Sequence, residues 1–354
     1  MAAMASAGTA SAQEEGADGE LLDLASGTLV LDDSGQYNET WAAMMLIDAT
    51  TEYGWASPEN DPYPHHFVLE LPRRHRLDTL KLSNRGAEDG SYPGISARHV
   101  EVHTSVEGAD GPWREVTTVE VPQGDRIRAA LPDGTEARWL KLVVRDNWGH
   151  DGYTELMEVG AAGTPVGEPP EAPPLEGVYD TNYELLEIHR AGTRIAGCYE
   201  WNEGHLDGST DGRMARFQWV EDEGRQSGTA LMVLASDGEY LNGYWYEHGE
   251  YQGLWYGRRV EGEDLDCPVS LGTGDLEAKL DRGDSAILYG LHFDFDSARL
   301  REESRETLRQ VLDVLQARPG LRVRLVGHTD SVGSSPYNRE LSRERAAAVR
   351  RWLA

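Results

Sequence analysis

Residues 327–353, GHTDSVGSSPYNRELSRERAAAVRRWL, place an acidic and a basic side chain where they could hold one ligand. Ser335 and Pro336 suit a helix start, as cap and first-turn residue. At about 100° per residue, Leu341, Ala348, Val349, Trp352 and Leu353 then form one apolar stripe. Arg345 and Asn338 fall inside that stripe and point towards the strand end that bears Asp330. A guanidinium left alone in a packed face costs on the order of several kcal/mol, so Arg345 needs an anionic partner or a ligand. A carboxylate beside a guanidinium complements a group that carries one cation and one anion side by side, such as the free head of an amino acid. On residue types alone, an ion pair tying helix to strand is the simpler explanation.

The elements that must position these residues can be read upstream. AILYGLHFDFDSARL reads as a strand running into a turn, and the helix after it carries Leu308, Val311, Leu312 and Leu315 on one face. Pro319 and Gly320 stop that helix. LRVRLVGHTD then alternates Leu321, Val323 and Leu325 with arginines, which predicts a strand with one buried face. The expected unit is β-α-β-α, with the two strands parallel through a right-handed crossover.

A second group of chemically capable residues lies in the middle of the chain. Glu200, Glu203, Asp207, Glu247 and Glu250 could be searched for a glycosidase pair, and Tyr199, Trp201, Tyr244, Trp245, Tyr246, Trp255 and Tyr256 for a sugar-stacking platform. In a chain with 62 acidic residues, turn carboxylates are ordinarily just solvated. Alternation sends the aromatics to both faces of a sheet, where most are expected to pack. LEIHRAGTRIAGCYEWNEGHLDG and MVLASDGEYLNGYWYEHGEYQG align with Gly192 on Gly238, Gly197 on Gly243, Gly204 on Gly249 and Gly208 on Gly253. Two copies of one hairpin unit are implied, forming an antiparallel β-meander or small barrel. No enzymatic function is expected.

The first part of the chain is all-β by pattern. HFVLELP, LDTLKLS, HVEVHTS, WREVTTVEV and RWLKLVV are short alternating or apolar runs between Gly, Asp, Asn and Pro turns, which predicts a sandwich. The expected domains are 21–162, 178–267 and 284–354, joined by a Pro-rich linker at 163–177 and a second linker at 268–283. Residues 1–20 read as a signal-peptide remnant or a disordered start, with ASA as an A-x-A cleavage site.

Composition narrows the partners. The net charge of −29 repels phosphate backbones and anionic membranes, which excludes nucleic acid as a partner. No run of about 18 apolar residues occurs, so no transmembrane helix is expected. The two cysteines, Cys198 and Cys267, stand in no metal-ligand spacing, and a disulfide and two buried thiols are equally compatible with them.

GHTDSVGSSPYNRELSRERAAAV, preceded by FDFDSARLREES, closely resembles the peptidoglycan-binding signature of the OmpA-like domain family. The resemblance implies that Asp330 receives the ammonium of meso-diaminopimelate in the cell-wall stem peptide and that Arg345 meets its carboxylate. It also implies supporting positions at Thr329, Asn338 and Asp296, whereas His328 has no comparable case for ligand binding and is expected to be structural. That family normally continues with a further strand, helix and strand, so the domain is expected to be incomplete at Ala354. The order LIDATTEYGWAS, FVLELPRRHRLDTLKLSN, HVEVHTSVEGADGPWREV, ARWLKLVVRDNWG and LMEVGAAG resembles a discoidin, or galactose-binding-like, jelly roll. That resemblance implies glycan or lipid-headgroup binding through loops at one end. It also offers calcium ligands at Asp48 and Glu158, with Trp55 in register. Thr50 and Tyr53 replace two of the pattern's oxygen donors and weaken such a site, so no cofactor is expected. Trp55 and Trp113 are expected to pack in the core. The chain is therefore expected to be multidomain and mainly β, a non-catalytic protein of the periplasm or outer membrane of a Gram-negative bacterium, anchored to peptidoglycan. The alternative is a carbohydrate-binding adhesin whose discoidin-like domain recognises a glycan while the C-terminal domain only tethers it.

Overall fold

The structure, a computed structural model, describes residues 21–50, 52–88, 90–221, 225–265, 267, 297–300, 304–325 and 335–353. Its first part is a sandwich of nine strands, two of them only two residues long: β1 (Leu29–Asp33), β2 (Trp55–Ala56), β3 (His65–Ser83), β4 (His99–Ser105), β5 (Arg114–Glu120), β6 (Arg126–Ala130), β7 (Glu136–Val144), β8 (Glu155–Leu156) and β9 (Glu158–Pro165). HFVLELP and LDTLKLS, two runs in the sequence, are halves of the single 19-residue β3. The first half pairs with β1 and β7, and the second with β6 and β9. Register with β7 is interrupted between Glu70 and His75, around Pro72, which has no N–H to give to a ladder. The strand thus passes from one group of strands to the other. Phe67, Leu69, Leu80, Leu82, Val100, Leu142 and Val159 are buried between them. HVEVHTS keeps its alternation, with Val100, Val102 and Thr104 buried. Trp55 is fully buried, whereas Trp113 is only half-buried, lying beneath the Lys141 ammonium instead of in the core.

Strands β10 (Gly177–Thr181), β11 (Glu184–Ala191), β12 (Arg194–Tyr199), β13 (Gly204–Asp211), β14 (Met214–Glu221), β15 (Gln226–Leu234), β16 (Tyr240–Glu247) and β17 (Glu250–Val260) form a closed up-and-down barrel. The aligned repeat maps β12 onto β16. At Gly197 and Gly243 a Cβ would lie 1.9 Å from the carbonyl oxygens of Glu187 and Leu231, so both copies need glycine for the same close strand approach. The interior is filled by Leu186, Ile188, Phe217, Met232, Leu241 and Trp255. Cys198 and Cys267 are disulfide-bonded, which clamps the chain leaving the barrel back onto β12.

Barrel and sandwich share a core. Val233, Ala235, Tyr244 and Leu254 belong to the sandwich's apolar cluster, and the Tyr244 hydroxyl donates to the Met44 carbonyl. Glu70 is 0% exposed and accepts from Arg138 at 2.9 Å, from Arg213 of the barrel at 2.7 Å and from the Ser236 amide at 3.1 Å. Arg213 also donates to the Gly27 and Leu234 carbonyls, so one guanidinium ties both parts together.

At the C-terminal end are the helices Ser304–Ala317 and Ser335–Leu353. Leu308, Val311 and Val314 are buried on the first, and Leu341, Ala348 and Val349 on the second. Val311 and Val314 pack with Leu315 and Leu353. Residues 321–325 form no ladder among the described residues, and Val323 is 40% exposed, unlike the buried strand the alternation predicts. The strand expected to pair with them, in AILYGLHFDFDS, lies outside the described residues. A strand gains a buried face only through its neighbours.

Candidate functional site

Arg345 lies one turn after the buried Leu341 on its helix and one turn before the buried Ala348 and Val349. It is half-buried, as its place in the apolar stripe requires, and its Nε donates to the Ser297 carbonyl at 3.1 Å. The guanidinium is thus brought to the residue directly after Asp296. Asp296, Thr329 and Asp330 lie outside the described residues, as does His328. Asn338 is on the helix, and its side chain is outside the description. The structure therefore joins Arg345 to the turn that ends the domain's first expected strand. The Ser297 carbonyl escapes sequence reasoning, because any residue type offers the same acceptor there.

A second grouping sits on the loops at one end of the sandwich. Tyr37, Tyr63 and Tyr92 are 53%, 39% and 44% exposed. Tyr153 is the hub, with ring centroids 5.6 Å from Tyr37, 6.2 Å from Tyr92 and 5.9 Å from His150. Asn147 builds the loop beneath them by donating to the His150 and Tyr153 carbonyls at 2.8 and 2.9 Å. The amides of Gly152 and Tyr153 donate to His150 Nδ1 at 3.1 and 3.0 Å. A neutral His150 therefore carries its proton on Nε2. Partial desolvation, with the Glu59 carboxylate nearby, raises the Tyr153 hydroxyl above its ordinary range. Flat rings, an imidazole donor and a carboxylate suit a polyhydroxylated ligand with apolar faces. These tyrosines are scattered over four connections, and nothing in their spacing announces the cluster.

The calcium candidates are otherwise engaged. Asp48 accepts from the Thr50 amide at 2.8 Å and the Thr50 hydroxyl at 3.0 Å, and burial raises its pKa. Glu158 is buried and meets the Lys81 ammonium at 3.2 Å. An ammonium beside the carboxylate supplies the charge that a cation would otherwise supply, so this donor set does not fit a calcium ion.

In the barrel, Tyr199, Trp245 and Trp255 face inwards, whereas Tyr244, Tyr246 and Tyr256 pack towards the sandwich. Trp201 is 45% exposed. Of the candidate carboxylates, Asp207 pairs with Arg194 at 3.4 Å and Glu200 accepts the Leu185 amide at 3.3 Å. Glu221, which the sequence reading passes over, accepts from the Tyr199 hydroxyl at 2.8 Å and from Asn202 at 2.9 Å.

A sandwich, a closed barrel and a helical C-terminal segment define a multidomain, mainly β protein. Residues 292–354 match the model of the OmpA family. Outer membrane porin F of Pseudomonas aeruginosa is 41% identical over 58 residues, 16% of this chain and 17% of the porin. A peptidoglycan-associated lipoprotein of Brucella melitensis is 38% identical over 64 residues, 18% of this chain and 38% of the lipoprotein. The chain thus spans less than two fifths of the length of these relatives. Among solved structures, a putative chitobiase fragment from Bacteroides thetaiotaomicron is 20% identical, covers 45% of this chain and 99% of the fragment, and has a TM-score of 0.37. Among the described residues, no helix is long and apolar enough to cross a membrane.

Proposed function

We propose that this is a non-catalytic protein of the Gram-negative cell envelope, held in the periplasm by its C-terminal residues, which bind the diaminopimelate of the peptidoglycan stem peptide. The observation that carries this reading is Arg345, a half-buried guanidinium on a packing face that donates to the Ser297 carbonyl within the segment that matches the OmpA family. Asp330 would take the ligand's ammonium and Arg345 its carboxylate, with Thr329, Asn338 and Asp296 lining the site. The disulfide suits an oxidising compartment such as the periplasm. The chain extended through any further C-terminal residues should sediment with purified diaminopimelate-type peptidoglycan and much less with lysine-type peptidoglycan, which lacks the second carboxylate. Equal binding to both walls would overturn the diaminopimelate reading.

The exposed Tyr37 and Tyr92, grouped around the half-buried Tyr153, support a second activity, glycan recognition by the sandwich. Screening the full chain on a glycan array should give a hit, and Tyr153→Ala should weaken that hit at least fivefold, since removing one ring interaction costs about 1 kcal/mol. An array without hits, or a hit indifferent to Tyr92→Ala and Tyr153→Ala alike, would leave the patch as loop packing.

A further inference from the structure

The outward face of β11 and β12 carries a set of metal-type donors that neither reading above uses. Glu187 and Cys198 are direct cross-strand partners, which puts both side chains on the same side of the barrel wall. His189, two residues beyond Glu187, shares that side. The chain leaving β17 returns over this face, where the Leu265 amide donates to Glu187 Oε2 at 2.9 Å and Cys267 closes the disulfide with Cys198. The donor atoms of Glu187, His189 and Cys267 all lie within 4.8 Å of one another. His189 Nε2 stands 3.1 Å from Glu187 Oε1, yet it is shielded from solvent and makes no hydrogen bond in that orientation. An imidazole nitrogen held 3.1 Å from a carboxylate oxygen without hydrogen-bond geometry, in a cluster that also holds a sulfur, is placed as a metal ligand would be, although the His189 side chain itself is 41% exposed.

We propose that reduction of the Cys198–Cys267 disulfide turns this face into a zinc site, with Cys198, Cys267, His189 and Glu187 as its four ligands. A dithiol reductant supplies two electrons and two protons, leaving two protein thiols and its own disulfide. Zinc then displaces the two thiol protons and is bound by two thiolates. Two sulfurs, an imidazole and a carboxylate make a tetrahedral set suited to zinc. Bond lengths of about 2.0 to 2.3 Å put neighbouring donors about 3.3 to 3.8 Å apart, so the donors of Glu187, His189 and Cys267, within 4.8 Å of one another, need only close in, and Cys198, bonded to Cys267, would turn towards them once the disulfide opens. With all four positions filled by protein, the ion has a holding role and no open position for catalysis. It would keep Leu265 and Cys267 on the barrel after the disulfide is opened, so the clamp persists in either redox state.

The test uses the full chain, oxidised and phosphine-reduced, under anaerobic conditions with zinc in competition against a chelating dye. Reduced protein should take up one zinc that oxidised protein does not. Cobalt substitution should show thiolate charge-transfer and tetrahedral d–d bands. His189→Ala and Glu187→Gln should each weaken zinc at least tenfold and alter the cobalt spectrum. Cys267→Ser should remove the site. His205, the cross-strand partner of Cys198 on β13, is the control, and His205→Ala should stay within about threefold of the wild type. Equal zinc uptake by both redox forms would overturn the proposal. So would uptake by the reduced form that is unaffected by both His189→Ala and Glu187→Gln, because that would assign the binding to two thiols of an opened chain. Loss at His205→Ala with none at His189→Ala would overturn the ligand assignment.

Discussion

Arg345→Ala is expected to release the protein from diaminopimelate-type peptidoglycan, with affinity falling more than tenfold. Truncating one partner of a desolvated charge pair costs about 2 to 5 kcal/mol, and each 1.4 kcal/mol is about tenfold in affinity. Asp330→Ala should do the same by removing the acceptor for the ligand ammonium. Arg345 also donates to the Ser297 carbonyl, so alanine removes one structural hydrogen bond, a loss of about 1 kcal/mol to the fold. Arg345→Lys separates the two effects. It keeps the charge and can still reach a carbonyl, but it cannot grip a carboxylate with two parallel N–H groups. The expected result is a fold as stable as the wild type and binding still weakened severalfold. If Arg345→Ala and Asp330→Ala stay folded and bind as well as the wild type, the two charges serve only to fasten helix to strand.

How far such residues can be recognised before a structure exists depends on whether their signal is periodic. The stripe through Leu341, Ala348 and Val349 located the face that holds Arg345, because burial on a helix repeats with the turn. The Gly197 and Gly243 pairing showed the barrel's repeat, because the same close strand approach excludes any side chain at both. Three features had no such signature. The continuity of β3 through Pro72 was hidden because a proline between two apolar runs also describes a turn. Tyr240, Tyr244 and Tyr246 alternate with inward residues, but alternation does not tell an outer face in water from one laid against another domain. Glu70 and Arg213 looked like ordinary charges of a highly charged chain. They meet across 143 residues of sequence, a separation at which spacing carries no information. The Cys198–Cys267 bond, spanning 69 residues, was open for the same reason.

Glu70 is where the largest loss of stability is expected. Its carboxylate is fully buried, and both guanidiniums beside it are 8% exposed. Burial is the main force on Arg138, pulling its pKa down to about 10 although Glu70 opposes that shift. The cluster is therefore poorly solvated and depends on its internal partners. Removing one member of a buried pair costs about 3 to 5 kcal/mol, chiefly because the other charge is left without compensation. Glu70→Ala should exceed Arg213→Ala, since it leaves two like charges facing each other, whereas Arg213→Ala leaves Glu70 still paired with Arg138. Arg213→Ala also frees the Gly27 and Leu234 carbonyls, which belong to different domains. The wild-type sandwich and barrel, sharing one apolar core, should unfold together in urea. Glu70→Ala should lower the midpoint and separate the two transitions, as followed by fluorescence of the barrel tryptophans and by hydrogen exchange of the sandwich strands. Coincident transitions at an unchanged midpoint in both variants would show that the apolar contacts of Tyr244 and Leu254 hold the two domains together without this cluster.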